Sequence, residues 1–216
     1  MFRQYRQIQK KEFIVVGVDT AAGGGDYTAA QFLSKTNFDV PLVYHSKTTT
    51  FELTNSLYPV LEKIFDQTGI KPVVAYERQN GGFFEMERLA ALNRSDKFKI
   101  FRMPVFGKGG ESEKLGWDTN TATRPLMLSS LKDAIDHRIL KIYDKDTVDE
   151  LFSFITVHSS SSQKAKAATG AKDDLVMALA IAYQVFIHEE KPLTRDEEEN
   201  YIEELPKEDY FKNGFY

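Results

Sequence analysis

Acidic side chains stand at three points in this sequence where long apolar segments end or begin. Asp19 directly follows the segment FIVVGV, and Glu77 directly follows PVVAY. Asp173 and Asp174 come directly before the apolar run LVMALAIAYQVFI. A buried carboxylate is costly unless it is paired or binds a metal ion. These positions are therefore the first candidates for chemistry.

The chemistry that converging carboxylates favour is the binding of divalent cations. Carboxylates in one poorly solvated pocket repel one another, and a metal ion neutralises them. Because the sequence has no cysteine, oxygen or imidazole must hold the metal, and oxygen ligands favour Mg²⁺ or Mn²⁺. Two such ions about 3.5 to 4 Å apart can contact both the attacking water and the leaving oxygen of a phosphodiester. We expect Asp19 to bridge two ions, and Glu77 and Asp174 to hold one each.

Two further aspartates have two interpretations each. Asp173 either binds metal beside Asp174 or caps the helix that begins there, because aspartate is a preferred N-cap residue. Asp26 closes the glycine-rich turn AAGGGD. It either lies near the metal as an outer contact, beyond the residues that bind the ion directly, or stabilises the turn. Both alternatives stay open from the sequence, with Asp174 as the expected ligand of the adjacent pair.

The segments that position these acids predict a mixed sheet flanked by helices. Short runs rich in β-branched residues predict strands, and apolar residues at helical spacing predict helices. Because ligand sites gather at the carboxyl ends of strands, we expect Asp19 and Glu77 to meet at one edge of the sheet. Predicted strands cover residues 13–18, 27–34, 41–46, 72–76, 98–103 and 139–143. Predicted helices cover 53–67, 83–93, 123–137 with Thr123 as its cap, and 173–187, and the segment 148–157 is amphipathic. Predicted surface loops cover 107–123 and the low-complexity segment 159–170.

Length, composition and charge limit the class of protein. A chain of 216 residues with 42% hydrophobic content can bury one core. We find no apolar run long enough for a membrane span or a secretion signal, so we expect a soluble, intracellular protein without a membrane partner. The net charge is −4, but residues 189–216 hold ten acidic and four basic side chains, which leaves +2 for residues 1–188. We expect a basic arm or linker at 1–11, one domain at 12–188, and an acidic, flexible tail at 189–216.

Four pieces of the sequence, in this order, resemble the nuclease domain of the large terminase subunit of tailed bacteriophages, within the ribonuclease H-like superfamily. They are GVDTAAGGGDYTAA at 17–30, VVAYERQNGG at 73–82, GWDTNTATRPLML at 116–128 and GAKDDLVMALAIA at 170–182. The resemblance implies an α/β fold with a ribonuclease H-like mixed central sheet, in which an antiparallel meander and parallel strands are flanked by helices. It also implies endonucleolytic cleavage of concatemeric viral DNA during genome packaging.

The resemblance carries the metal ligands onto the same three acids, with Asp173 as the adjacent candidate. Lys172 stands where relatives often have histidine, and Met177 where they often have another acid, so the third ligand depends more heavily on the paired aspartates. The implied partners are double-stranded DNA and, in the full-length protein, an ATPase domain, the small terminase subunit and the portal. The expected location is the cytoplasm of the infected bacterial host. The sequence has no GxxxxGK[ST] phosphate loop, so we expect this chain to cut DNA without translocating it.

Basic residues on predicted loops are the candidates for contacts with DNA phosphates. Cleavage that tolerates many sequences needs phosphate contacts more than base readout. Arg124 begins a helix, where its own charge and the helix N-terminus both favour an anion. Trp117 either wedges against DNA or covers a small hydrophobic patch, and the four histidines show no metal spacing. The candidates are Arg78, Lys108, Lys114, Arg124, Lys164, Lys166 and Lys172.

Three other functions remain open from the sequence. The first is a Holliday-junction resolvase-like or other ribonuclease H-like nuclease, which has the same fold. The second is a sugar-kinase or actin-like ATPase, whose glycine-rich phosphate turn also follows a first strand bearing Asp. That class needs two related domains and a second phosphate turn, and neither fits this chain. The third is a non-catalytic docking module that binds a partner such as the portal or procapsid through the acidic tail.

Overall fold

A mixed β-sheet forms the centre of the structure, a computed structural model that describes residues 1–20, 27–107, 110–158 and 173–192. In chain order, the strands are β1 Phe2–Gln4, β2 Ile14–Asp19, β3 Thr28–Ser34, β4 Asp39–Ser46, β5 Val73–Tyr76, β6 Lys99–Ile100, β7 Arg102–Gly107, β8 Gly110–Leu115 and β9 Lys141–Ile142. The helices are α1 Thr50–Thr68, α2 Gly82–Leu92, α3 Thr123–Asp136, α4 Lys145–His158 and α5 Asp174–His188.

The main sheet has seven strands in the order β1-β4-β3-β2-β5-β6, with β9 beside β4. β2, β3 and β4 form the predicted antiparallel meander. β5 lies parallel to β2, β6 parallel to β5, and β9 parallel to β4. The predicted mixed sheet of antiparallel and parallel strands flanked by helices is therefore confirmed.

The sheet separates two hydrophobic cores, because successive side chains of a strand alternate between its two faces. Val15 of β2 lies in the core beneath α5, together with Leu33 of β3 and Ala178 of α5. Val16 and Val18 lie in the opposite core, beneath α1 and α2. Nearly every residue of α5 is apolar and buried, and the helix accordingly lies across the middle of the sheet, where it covers β2 and β3.

α1 begins and ends at signals that are local in the sequence. Thr49 and Glu52 form a capping box, in which each side chain accepts a hydrogen bond from the other residue's backbone N–H. Gly69 ends the helix in a left-handed conformation with φ of 74°, which glycine adopts without steric cost. The helix predicted at 53–67 is confirmed, with a start at Thr50.

Gly17 of β2 allows α5 to approach the sheet closely. A Cβ at this position would lie 2.2 Å from the carbonyl oxygen of Ala178 and 2.2 Å from the backbone nitrogen of Ala182. Only glycine fits there without a shift of the helix. The close approach fixes the first turn of α5, which carries Asp174, beside the end of β2.

The long loop predicted at 107–123 is wrong in its first half, because β7 and β8 pair there as an antiparallel hairpin. The predicted strand 98–103 is likewise divided at Phe101, where the chain leaves β5 and pairs with β8 instead. The strand β8 reads GESEKL, so it has no alternating apolar face that would reveal a strand in the sequence.

The remainder of that loop leads into α3, and this helix begins differently from the predicted start, which had Thr123 as the cap. Ala122 holds the N-cap position, and Thr123, predicted to be the cap, is the first helical residue. The Thr123 hydroxyl donates to the carbonyl of Asp118 at 2.7 Å and accepts from the N–H of Asn120 at 2.9 Å. Trp117 is buried and stacks on Phe101, which agrees with the hydrophobic-patch alternative.

The first eleven residues, expected to form an arm or linker, contribute β1 and several ion pairs to the folded body. β1 pairs with β4, and Arg6 binds both Glu12 and Asp39. Residues 159–172 and 193–216 lie outside the described residues, so the loop predicted at 159–170 and the mobility of the acidic tail remain predictions. None of the helices in the described ranges is both long and apolar enough to cross a membrane.

Candidate metal centre

A row of residues crosses the carboxyl end of β2 on the face that α5 covers. Antiparallel pairing sets His45 of β4 opposite Ala29 of β3, and Ala29 opposite Asp19 of β2. β5 runs parallel to β2, and the backbone N–H of Glu77 donates to the carbonyl of Val18 at 2.8 Å. Sheet pairing therefore brings His45, Asp19 and Glu77 to one edge, where the strand pattern predicted that the two acids would meet.

The backbone of Glu77 is held by neighbours on both sides. The N–H of Trp117 donates to the carbonyl of Tyr76 at 2.9 Å, and the N–H of Arg78 donates to the carbonyl of Trp117 at 2.9 Å. Gly82, at the start of α2, lies so close that a Cβ there would be 1.9 Å from the Glu77 carbonyl oxygen. Glu77 itself is 8% exposed, so its carboxyl group is fixed within the fold.

The carboxyl group of Asp19 lies within hydrogen-bonding reach of the carboxyl group of Glu77. Burial raises the pKa of Asp19 well above its usual range. Repulsion from Glu77, the hydrogen bond to it, and the charges of Asp174 and Asp173 raise this pKa further. A divalent cation at this position would relieve the repulsion between these acids.

Asp173 and Asp174 lie at the start of α5. Asp174 is the first helical residue, and Asp173 holds the N-cap position without a capping hydrogen bond from its side chain. The Asp173 carboxylate accepts a hydrogen bond from Nη2 of Arg124 at 2.6 Å. Asp173 is therefore the N-cap residue of α5, as one of its two interpretations expected, although its side chain makes no capping hydrogen bond; its role as a metal ligand remains a prediction.

Glu150 of α4 takes the capping role at the start of α5. Its Oε2 accepts hydrogen bonds from the backbone N–H groups of Leu175 at 2.9 Å and Val176 at 3.3 Å. Burial, with a smaller contribution from the charges of Asp174 and Asp173, raises the pKa of Glu150 to about 7. The two backbone hydrogen bonds oppose that rise. The carboxyl group of Glu150 therefore belongs to the same electrostatic cluster.

Two candidate ligands, Glu150 and His45, were missed in the sequence analysis. One ligand atom from each of His45, Glu150 and Asp174 lies within 4.8 Å of the other two. Glu150 lies on an amphipathic helix, where an acid is ordinary, and His45 follows strand residues with no other ligand type near it in sequence. Only the assembled fold brings these side chains together.

The donors at this end of the sheet fit a divalent metal ion. The carboxylates repel one another, and Arg124 forms an ion pair with one of them, Asp173. Carboxylate oxygens with one imidazole suit Mg²⁺, Mn²⁺ and related ions. The interacting acids are Asp19, Glu77, Glu150, Asp173 and Asp174.

Three of the basic residues predicted to contact DNA have partners within the protein. The Arg78 guanidinium donates to the carbonyl of Leu115 at 2.5 Å and stacks on Phe83, with 4.7 Å to the ring centroid. Lys114 is 45% exposed and pairs with Asp118 at 2.5 Å. Arg124 is 33% exposed, and its ion pair with Asp173 holds it beside the acids of the candidate metal centre. Arg124 is thus a described cation in direct contact with one of the predicted site acids.

Several predicted site residues lie outside the described residues. Asp26 of the glycine-rich turn is one of them, and its role as an outer contact of the metal or as a turn residue remains a prediction. The DNA-contact candidates outside the described ranges are Lys108, Lys164, Lys166 and Lys172.

The fold of this chain is similar to that of terminase nuclease domains. Its ribonuclease H-like sheet joins an antiparallel meander to parallel strands and has helices on both faces. Acids at the end of β2, directly after β5 and at the start of α5 lie at one edge of this sheet. No protein-family model matches the chain, and no curated protein sequence matches it.

Solved structures similar to this chain are nuclease domains of large terminases. The large terminase nuclease of the thermophilic phage G20c with bound magnesium is 18% identical with a TM-score of 0.60, over 84% of each chain. The nuclease domain of Thermus phage P74-26 is 15% identical with a TM-score of 0.55, over 87% of this chain and 85% of that one. The human cytomegalovirus terminase nuclease domain, soaked with manganese, is 12% identical with a TM-score of 0.50, over 81% and 84%. This chain therefore has the fold of a large terminase nuclease domain, as its sequence motifs predicted.

Proposed function

We propose that this chain is a metal-dependent endonuclease domain that hydrolyses phosphodiester bonds of double-stranded, concatemeric viral DNA during genome packaging. The observation that carries the proposal is the close approach of the Asp19 and Glu77 carboxyl groups, with Asp174 beside them, where burial and mutual repulsion raise the pKa of Asp19. Such an arrangement is costly for the fold, and it is expected where acids hold a divalent ion.

The three acids have separate roles in this proposal. Asp19, which interacts with both other acids, would contribute to both ions, and Glu77 and Asp174 would each hold one. Bound Mg²⁺ or Mn²⁺ supplies an acidified water and stabilises charge on the leaving oxygen of the phosphodiester. The protein holds the acids rigidly through sheet pairing, the Gly82 contact at Glu77, and the Gly17 contact beneath α5. Similar terminase nucleases of phage G20c have been solved with magnesium, zinc and cobalt, which supports a divalent ion.

DNA would approach the exposed side of the acids, where Arg124 begins α3. Its guanidinium and the first N–H groups of the helix can bind a phosphate beside the metal ions. Lys114 on the β7–β8 hairpin is exposed enough to contact the backbone farther along the duplex. Arg78 acts by holding the base of that hairpin through the Leu115 carbonyl.

The biological setting follows from the same proposal. The nuclease domain at 12–188 would work in a full-length protein with an ATPase domain, together with the small terminase subunit and the portal, in the cytoplasm of the infected bacterial host. The acidic segment 189–216 would remain outside the nuclease body. Co-purification of the full-length protein with the portal tests this setting separately from cleavage.

A plasmid cleavage assay tests the nuclease activity directly. The whole chain should convert supercoiled plasmid to linear DNA in Mg²⁺ or Mn²⁺, and a chelator should stop the reaction. Asp19→Asn and Asp174→Asn should each lower the rate by about 10³-fold, because removal of a ligand costs several kcal/mol of transition-state stabilisation.

The control variant is Asp66→Asn, which changes an exposed acid on α1, on the other face of the sheet. It should cleave like the wild type. Unchanged cleavage in both Asp19→Asn and Asp174→Asn would refute the proposal. Cleavage of a four-way junction with an intact linear duplex would favour the resolvase alternative instead.

A further inference from the structure

We propose that His45, Glu150 and Asp174 form a second cation position, adjacent to Asp19 and Glu77, that prefers a transition-metal dication such as Mn²⁺, Co²⁺ or Zn²⁺. The inference deepens the proposed function and rests on it, because Asp174 is a ligand at both cation positions. It assigns His45 and Glu150 as metal ligands, a role that neither the strand pattern nor the terminase resemblance predicts for them.

The geometry of the three side chains is close to that of bound ligands. Their candidate ligand atoms lie within 4.8 Å of one another. Two atoms that each bind one ion at about 2.0 to 2.2 Å lie at most about 4.4 Å apart. Side-chain shifts of a few tenths of an ångström would therefore bring all three atoms to coordinating distance of one ion, with water or substrate as the remaining ligands.

Separate parts of the fold hold the three ligands in this arrangement. The His45 ring packs against Tyr27, with 4.5 Å between ring centroids and 30° between planes. Glu150 is anchored through Oε2 to the N–H groups of Leu175 and Val176. A carboxylate has two oxygens and about four lone-pair sites, so these bonds leave capacity for an ion. Anchoring of this kind fixes ligand orientation around a metal.

The chemistry of the donors sets the preference among metals. Mg²⁺ favours carboxylates, phosphates and water, and it rarely binds imidazole. Imidazole suits zinc, copper, iron and nickel, and affinity for nitrogen-containing sites rises from Mn²⁺ through Co²⁺. A position with one imidazole and two carboxylates therefore selects transition metals, whereas the Asp19–Glu77 side has oxygen ligands alone.

The experiment is a titration of the whole chain with Co²⁺, followed by visible absorption, and with Mg²⁺, followed by calorimetry. His45→Ala and Glu150→Gln should each lower Co²⁺ affinity by at least about tenfold, the lower limit for loss of even an outer partner of a metal ligand. Both should change Mg²⁺ affinity less than Co²⁺ affinity. The control is His137→Ala, an exposed histidine at the end of α3, which should bind Co²⁺ like the wild type.

The two variants keep the test decisive. Glu150→Gln retains an oxygen that accepts from the start of α5, so it decides the outcome if circular dichroism shows that His45→Ala does not fold. Wild-type Co²⁺ affinity in the folded variants would overturn the inference. Failure of the proposed function has a different signature, namely cleavage that persists in Asp19→Asn, and it leaves the Co²⁺ measurements valid.

Discussion

Buried acids occur in two regions of this molecule, and the regions differ in where the countercharge comes from. Near the N-terminus, the Arg6 guanidinium donates to Asp39 at 2.6 Å and to Glu12 at 3.0 Å. At the candidate metal centre, the charged neighbours that raise the pKa of Asp19 are other acids, Glu77, Asp174 and Asp173. The first region is neutralised by a cation of the chain itself, whereas in the second the described acids repel one another.

The pKa values of the two regions move in opposite directions. Burial alone would raise the pKa of Glu12, but hydrogen bonds from Arg6, Gln9 and Ser34 hold that pKa below its usual value. Burial and neighbouring acids raise the pKa of Asp19. An acid buried with its own cation stabilises the fold, and an acid buried among acids indicates a site for a cation from solution. The predictions below test that distinction.

The largest expected effect is on the N-terminal network. Arg6→Met retains apolar volume but leaves Glu12 and Asp39 buried without their countercharge, so it should lower the free energy of unfolding by about 3 to 5 kcal/mol. Urea denaturation at pH 7 measures the change. Lys71→Met, which removes an exposed pair with Asp96, should cost below about 1 kcal/mol. Equal losses in the two variants would show that the network does not depend on buried charge.

The metal centre should respond to added cations, and the N-terminal network should not. Mn²⁺ at about 100 times its dissociation constant should raise the free energy of unfolding by about 2.7 kcal/mol, because it binds the folded state. Asp174→Asn should lose most of this gain, whereas Arg6→Met should keep it. Urea denaturation with Mn²⁺ and with a chelator measures both. A gain in Asp174→Asn equal to that of the wild type would place the bound ion elsewhere.

The pH dependence of stability should identify the acid that has its own cation. Because the pKa of Glu12 is lower in the folded protein, its contribution is present above its unfolded value and is lost as the pH falls through the folded value. Glu12→Gln should therefore cost about 2 kcal/mol at pH 7, typical of a hydrogen bond to a charged group. Urea denaturation at pH 7 and pH 3 should show a smaller cost at pH 3. A cost that does not change with pH would mean that shape, not charge, matters at Glu12.

The same change from aspartate to asparagine, made once in each region, should change the free energy of unfolding in opposite directions. In chelator-treated protein at pH 7, Asp19→Asn removes a group whose burial and acidic neighbours oppose ionisation, so it should stabilise the fold by about 1 kcal/mol. Asp39→Asn removes a partner of Arg6 and should destabilise it. Thermal unfolding of the two variants beside the wild type provides the comparison. Destabilisation by both would mean that Asp19 is a structural acid like Asp39.

The part of the site that was predictable from sequence is the part with local signals. Asp19 and Glu77 each end a buried strand, and a carboxylate in that context is visible in a short stretch of sequence. The start of α5 was visible for the same reason, because Asp174 precedes an apolar helix. Adjacent parallel strands then place the first two acids together without further information.

The rest of the site depends on contacts between distant segments. His45 reaches the row only because β4 pairs with β3, and Glu150 reaches it only because α4 packs at the start of α5. β1 is three residues long and β8 is polar, so neither has the alternating apolar pattern that reveals a strand. Local patterns therefore predicted the central sheet, and they missed elements held mainly by backbone pairing.

The smallest expected effect on stability belongs to Arg124, which combines features of both regions. It pairs with an acid as Arg6 does, but it is 33% exposed and lies at the metal centre. Arg124→Ala should therefore change the free energy of unfolding by below about 1 kcal/mol. As a phosphate contact, it should reduce the slope of log affinity for duplex DNA against log salt by about one.

Fluorescence anisotropy with a short duplex, in Ca²⁺ to avoid cleavage, measures that slope between low and moderate salt. The matched control is Lys132→Ala, farther along α3, which removes an exposed pair with Asp136 and should leave the slope unchanged. If both variants keep the wild-type slope, Arg124 only balances Asp173 and DNA approaches the acids from another side. If Arg124→Ala alone reduces the slope, the cation that the chain supplies to its acidic centre also binds the substrate.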